Sequence, residues 1–384
     1  MSEYNDLIYL DNNATAPIAP ECVEAMVISM HEGQGNPSSK HAAGYKSKDM
    51  VMEARGKVAS FLGAAPPEVV FTSGGTESNH FAIMGALALQ PEKRHIVTST
   101  VEHPSTLLLL SHLESQGVQV TRVGVDSQGQ LDLAELDKAI TPETALVSLM
   151  WANNETGVLF PIEEAAALAK SKGCLFHTDA VQAAGKVPLD MKKVPADFLS
   201  ISGHKLHGPQ GIGVLFVRKG IKLPPLFFGH QERGRRGGTE NVPGVVGLGK
   251  ACSLAMEHMQ QDEEHIRAMR DRLEAGIMAR VSFARINGEG VKRISNTTNL
   301  RFENLNSEVL LDKLDKDGIV ASSGAACTAG GTDPSHVLIA MGLDENAALS
   351  SIRFSLSRNT TEAEIDQVLK KLPSIILNMA AEAA

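Results

Sequence analysis

Long apolar runs are missing from this 384-residue chain. None approaches the roughly 20 residues that a helix needs to cross a bilayer, which argues against a helical membrane span. The first residues, Met1 to Asn13, carry acids and lack the basic-then-apolar pattern of an export signal. A cytoplasmic protein is therefore expected. Basic residues are outnumbered, 36 Lys and Arg against 45 Asp and Glu, for a net charge of −9. A nucleic-acid binder would usually show a basic face instead. Cysteine is scarce: Cys22, Cys174, Cys252 and Cys327 are the four. No two stand at the spacing of a zinc knuckle or a redox pair, and in a reducing compartment free thiols are expected. Cys174, in the apolar run Cys174-Leu-Phe176, reads as a packing residue, as do Cys22 and Cys252 in helix-like segments. Internal repeats, charged tails and low-complexity segments are also lacking.

What is present is a globular composition, 43% hydrophobic and 21% charged, long enough for two domains. From about residue 16 to 255, short apolar runs alternate with Ala/Leu/Glu/Lys-rich stretches of helical spacing. The runs include Val69–Thr72, His95–Thr98, Ala145–Met150, Gly173–Phe176 and Asp197–Ser202. Such alternation predicts an α/β domain on a mainly parallel sheet flanked by helices. The run Gly211–Val217, after the turn-like Gly208-Pro-Gln210, reads as a returning, antiparallel strand. A long helix is expected over about Gly249–Val281, leading to a smaller α+β unit with strands at Asn299–Phe302 and Ser351–Ser355. Thr361 and Glu364 have the spacing of a capping box, which predicts the start of the last helix.

Polar clusters follow several apolar runs, and in open α/β sheets ligands bind beyond the carboxyl ends of the strands. Ser73-Gly-Gly-Thr-Glu-Ser-Asn79 leads into a helix-like segment. Free N–H groups there, with glycines allowing close approach, could hold a phosphate. It is neither a Walker loop nor GxGxxG, and alone it could be a plain connection. Further clusters are Glu102-His103-Pro-Ser105, Asn153-Asn-Glu-Thr-Gly157, His177-Thr-Asp-Ala-Val-Gln182 and Ser202-Gly-His-Lys205. Singly each has a dull explanation: His103 a satisfied core histidine, Asp179 a helix cap, Lys205 a solvated loop residue. His177, His204 and His207 lack a consistent metal-ligand spacing. Together, a phosphate loop, an acid and a lysine at a strand end are what pyridoxal-phosphate chemistry requires.

These segments, with Tyr9-Leu-Asp-Asn-Asn-Ala-Thr15, Arg233-Gly-Arg-Arg-Gly-Gly-Thr-Glu-Asn241 and Ser322-Ser-Gly-Ala-Ala-Cys327, occur in one order. In that order and spacing the chain resembles the NifS/IscS-type cysteine desulfurases, class V of the aminotransferase superfamily, over nearly its whole length. The resemblance is nearer to NifS, in the Arg-Arg-Gly-Gly-Thr-Glu-Asn-Val-Pro run and the short C-terminus. Gly237, Ala325 and Ala326 depart from the family's usual forms by small-for-small changes.

The resemblance implies a homodimer of the pyridoxal-phosphate transferase fold type I. A large cofactor domain would span 16–255, and a smaller one would combine 1–15 with 256–384. It implies Lys205 as the lysine that holds pyridoxal 5′-phosphate and Asp179 at its ring nitrogen. His103 would stack on the ring and Gln182 bond its phenolic oxygen. Gly75, Thr76, Ser202 and His204 would hold the phosphate, joined by Thr239 of the neighbouring subunit. Asn154 and Arg353 would grip the substrate, L-cysteine, the guanidinium suiting its carboxylate. Cys327, among small residues and glycines rather than in a packed run, would accept sulfur as a persulfide. Lys205 and His103 would move protons. A NifU-like or IscU-like scaffold would take the sulfur for iron–sulfur cluster assembly, with nitrogen fixation as the setting. Two rivals stand beside this reading: another pyridoxal-phosphate reaction, such as transamination or selenocysteine cleavage, and a scaffold without activity.

Overall fold

The computed structural model describes residues 7–323 and 333–383. Its largest sheet has seven strands. In spatial order they are Val69–Thr72, Gly213–Val217, Phe198–Ser202, Leu175–Asp179, Thr144–Met150, His95–Ser99 and Gln119–Val123. Gly213–Val217 runs antiparallel to both neighbours, and the other pairings are parallel. Every residue of Val69–Thr72, Thr144–Met150 and Phe198–Ser202 is buried. That pattern belongs to a sheet covered by helices on both faces. One apolar cluster joins Phe71, Val97, Val147, Phe176 and Leu199 to the helices Pro20–Glu32 and Ala42–Phe61. A second packs Phe81, Ile83 and Leu110 against Val70, Ile96 and Phe198 on the opposite side. The edge strand Gln119–Val123 is partly exposed and carries Gln119 and Arg122, polar residues that discourage pairing with another chain.

A separate apolar core surrounds a three-stranded antiparallel sheet of Ala284–Ile286, Thr297–Phe302 and Ser351–Ser355. The strand Ile8–Tyr9 joins it through a parallel pairing with Ile319–Val320. The helix Val242–Met278 serves both cores, burying Val245, Leu248 and Cys252 in one and Ile266, Leu273 and Ile277 in the other. It starts seven residues earlier than the sequence predicts. Gly244, Gly247 and Gly249 disguise its first turns, yet Asn241 caps it by accepting from the Gly244 N–H at 3.1 Å. Gly249 is required there by close packing, since a Cβ would lie 2.9 Å from the Ala54 backbone. At the other end of the chain the capping box forms as expected. Thr361 N–H donates to Glu364 at 2.7 Å and Glu364 N–H returns a bond to Thr361 at 3.2 Å.

The expected packing cysteines Cys22, Cys174 and Cys252 are all buried. His177 lies inside the sheet with its ring nitrogens 2.9 Å from Ser148 and Ser200. No helix among the described residues is long and apolar enough to cross a membrane.

Candidate active site

Strand direction explains why distant polar clusters meet. Thr72, Ser99, Met150, Asp179 and Ser202 all end strands on the same edge of the large sheet. The loops that follow therefore converge, and between them lies a cavity of about 340 Å³, within the range of small-molecule sites. Gly75, Thr76, His103, Asn154, Asp179, Gln182, Ser202, His204, Lys205 and Arg353 all line it.

The Asp179 carboxylate is fixed from two sides. Asn79 Nδ2 donates to Oδ2 at 2.6 Å, and the Val181 N–H donates to Oδ1 at 2.9 Å. Lys205 stands on a single 3₁₀ turn, Gly203–Lys205, directly after the strand Phe198–Ser202. Its Nζ donates to the carbonyls of Asn13 and Ala14 at 2.5 and 2.6 Å. His103 caps the helix Pro104–Ser115, its Nδ1 accepting from the Ser105 N–H at 3.1 Å. Burial holds the His103 imidazole below its usual pKa, more than the Asp179 charge raises it. The ring is therefore neutral near pH 7 and able to accept a proton. His204, 3.1 Å from Thr15 Oγ1, is pushed down to about 4 by burial and by Lys205.

The smaller core and the N-terminal segment reach into the cavity through Arg353, Asn13 and Ala14. Arg353 is buried, pairs with Asp11 at 2.6 Å and donates to the Asn154 carbonyl at 3.1 Å. Its Nε has no hydrogen-bond partner among the described residues. Asn13 donates to Thr297 Oγ1 at 2.8 Å and to the Asn154 carbonyl at 3.0 Å, bracing the junction.

The residues fit pyridoxal 5′-phosphate. The helix Gly75–Leu89 opens onto the cavity with no side-chain cap, so its first N–H groups are available to an anion. Gly75 leaves room there, since a Cβ would fall 2.8 Å from Val181 Cγ2. An anchored carboxylate, an uncapped helix start and a lysine amine line one cavity. That donor set matches a ring nitrogen, a phosphate and a carbonyl carbon on one small molecule.

Two candidates lie elsewhere. Thr239 is exposed and does not line this cavity within the chain. Cys327 lies outside the described residues. The structure also adds lining residues that were not singled out from the sequence, among them Asn13, Asn79 and Ser105. Each belongs to a polar cluster noted there. What was lacking was a reason to prefer those members, since Asn79 and Ser105 face the cavity only once their helices are placed. Glu102, in the same cluster as His103, lies just outside, and burial pushes it up to about 8. One of its oxygens accepts from Ser99 Oγ at 2.6 Å and Met150 N–H at 3.0 Å.

Fold and cavity together define a pyridoxal-phosphate enzyme of the α/β fold type I. The aminotransferase class-V family model matches residues 8–368. Cysteine desulfurase 2 of Trichormus variabilis is 54% identical over 376 residues, covering 98% of this chain and 94% of that protein. Cysteine desulfurase NifS of Azotobacter vinelandii is 49% identical over 374 residues, covering 97% and 93%. Among solved structures, a NifS-like protein superposes with a TM-score of 0.91 at 38% identity, covering 97% of this chain and all, 100%, of the other. SspA in complex with cysteine gives 0.81 at 35% identity, covering 92% and 99%. The chain belongs to the class-V aminotransferase family, in its cysteine desulfurase branch.

Proposed function

We propose that the chain takes sulfur from L-cysteine, releases alanine, and carries the sulfur on Cys327 as a persulfide. The observation that supports this most is the convergence of Lys205, Asp179, His103 and Arg353 on one cavity. When bound, pyridoxal phosphate supplies an electrophilic carbon for the substrate amine and a protonated ring that withdraws electrons from the substrate α-carbon. Lys205 holds the cofactor, and its freed amine takes the α-proton. Asp179, oriented by Asn79 and Val181, keeps the ring nitrogen protonated. Gly75, Thr76, Ser202 and His204 hold the phosphate, and Gln182 bonds the phenolic oxygen. Asn154 and Arg353 hold the substrate, the guanidinium meeting its carboxylate.

His103, neutral and half-buried beside the ring, accepts the proton of the substrate thiol. The Cys327 thiolate then forms a bond to the substrate sulfur as the carbon–sulfur bond breaks. The carbon skeleton keeps that electron pair, takes up one proton at the β-carbon and a second, returned by Lys205, at the α-carbon, and leaves as alanine. On this reading residues 16–255 form the cofactor unit, while 1–15 and 256–384 form the smaller one that carries Cys327.

The enzyme works as a homodimer, with Thr239 completing the phosphate site of the neighbouring subunit. Support comes from the exposure of Thr239 and of the nearby Phe227 and Phe228, 50% and 89% exposed, since apolar side chains left so open mark a contact surface. Sulfur passes to a NifU-like or IscU-like scaffold for iron–sulfur cluster assembly in the cytoplasm. The likeness to NifS favours nitrogen fixation as the setting.

Alanine and sulfide released from L-cysteine with a reductant present test the reaction. Equal yields from the wild type, lost in Cys327→Ala, are expected. A wild type that makes neither product overturns the proposal.

A further inference from the structure

Behind the cavity lies a second lysine that the proposed reaction does not use. The segment after Asp179 turns through Ala180–Lys186, and Gly185 takes a φ of +74° there. A Cβ on Gly185 would lie 3.3 Å from Leu206 Cβ. This close pass brings Lys186 alongside the turn that carries Lys205. Lys186 Nζ donates to Gln182 Oε1 at 2.9 Å.

In its protonated form Lys186 has donors and no acceptor, so the oxygen end of the Gln182 amide faces it. The NH₂ end is thereby turned away from Lys186. One of its N–H bonds donates to the Asn13 carbonyl at 2.9 Å, the same oxygen that accepts from Lys205 at 2.5 Å. The other N–H is left for the cavity, which Gln182 lines. Without Lys186 the oxygen end of the amide loses its donor, and only the bond to the Asn13 carbonyl still holds it.

The charge around Lys186 makes a purely structural role costly. Lys186 shares a narrow cavity of about 40 Å³ with Lys205, His207, Asp262 and Arg358. Asp262 is engaged by Arg358 at 3.7 Å, and Arg353 adds a further positive charge from the strand Ser351–Ser355. Burial, Lys205 and Arg353 together push Lys186 down to about 7. Burial likewise holds His207 at about 4, so it adds no charge at neutral pH. An uncharged side chain would fill this position at less electrostatic cost.

We infer that Lys186 is a positioning residue, which fixes the Gln182 amide with its NH₂ toward Asn13 and the cofactor's ring oxygen. The inference rests on the cofactor assignment above. It extends that assignment to a residue outside the cavity that acts only through Gln182.

The test is a pH titration of the visible absorbance of the cofactor-loaded enzyme without substrate. Lys186→Met removes the donor at the oxygen end and leaves the amide held only through Asn13, so the partner of the ring oxygen's anionic form is held less firmly. The titration midpoint should rise by about one pH unit. Lys186→Arg keeps a donor and should titrate close to the wild type, and melting temperatures recorded alongside separate a folding defect from a local one. In a Gln182→Leu background, Lys186→Met should add no further shift.

An unchanged midpoint in Lys186→Met overturns the inference. So does an equal shift with and without Gln182, which would mean that the charge acts directly. A wild type that takes up no cofactor overturns the site assignment and this inference with it. Normal loading with an unmoved midpoint overturns the inference alone.

Discussion

Glu102 and Asp179 are both buried carboxyls, yet their surroundings differ. Asp179 receives hydrogen bonds at both oxygens, whereas one oxygen of Glu102 has no partner among the described residues. Burial keeps Glu102 protonated up to about pH 8, against an ordinary value of 4.5. The folded protein thus keeps a proton that the unfolded chain releases. The contribution is fully present below the ordinary value and is lost as pH rises through about 8. Unfolding free energy, measured by denaturant at a series of pH values from 5 to 8, should fall with a slope approaching ~1.4 kcal/mol per pH unit from this group. Glu102→Gln, already neutral, should flatten that slope.

At the same scale Lys205→Ala should abolish both the visible absorbance of the loaded enzyme and alanine release. Retained absorbance with a reducible covalent adduct elsewhere would sink the role given to Lys205. His103→Ala should lower turnover by a factor of about 10² to 10⁴, as loss of a positioned proton acceptor does. Unchanged turnover would remove His103 from the scheme.

Elements show where local propensity was overruled. Glycine is a poor helix former, so Gly244, Gly247 and Gly249 hid the first turns of Val242–Met278. The packing partner across the contact explains them: Ala54, in the helix Ala42–Phe61, leaves no room for a side chain at Gly249. Replacing Gly249 with alanine would gain up to about 1 kcal/mol of helix propensity. Against this stands an overpacking cost of about 1–3 kcal/mol where backbone must move. The net expectation for Gly249→Ala is a lower melting temperature, and Gly249→Val should be worse. A raised melting temperature in the alanine variant would show that the two helices can separate at little cost. The capping box at Thr361 and Glu364 is the opposite case, in which neighbours in sequence suffice and the element begins where the residues say it does.

For the whole molecule the arrangement of parallel strands matters most. It carries the clusters after Thr72, Ser99, Met150, Asp179 and Ser202 to one edge, and the smaller core closes that edge with Arg353 and Asn13. Thr239 is exposed and lines no part of its own cavity, so its proposed role needs a second subunit. Mixing separately inactive Lys205→Ala and Thr239→Ala proteins under conditions of subunit exchange tests this. Half of the dimers would be mixed, and each would hold one site with both native residues. Activity should recover toward about a quarter of the wild type. No recovery, with exchange verified, would place Thr239 in the site of its own chain or outside catalysis.

The sequence by itself determined the alternation of strand and helix, the antiparallel return at Gly213–Val217 and the start of the last helix. These follow from period, turn chemistry and capping, which act between near neighbours. The order of polar clusters was also legible, and with the family resemblance it carries, ten of the lining residues. Tertiary structure alone decided which atoms of those clusters face one another. Asn79 against Asp179, Asn13 against Lys205, and Lys186 against Gln182 are contacts set by how the turns pack. Such choices depend on distances across the sheet edge and between the two cores, and no local pattern in the chain encodes them.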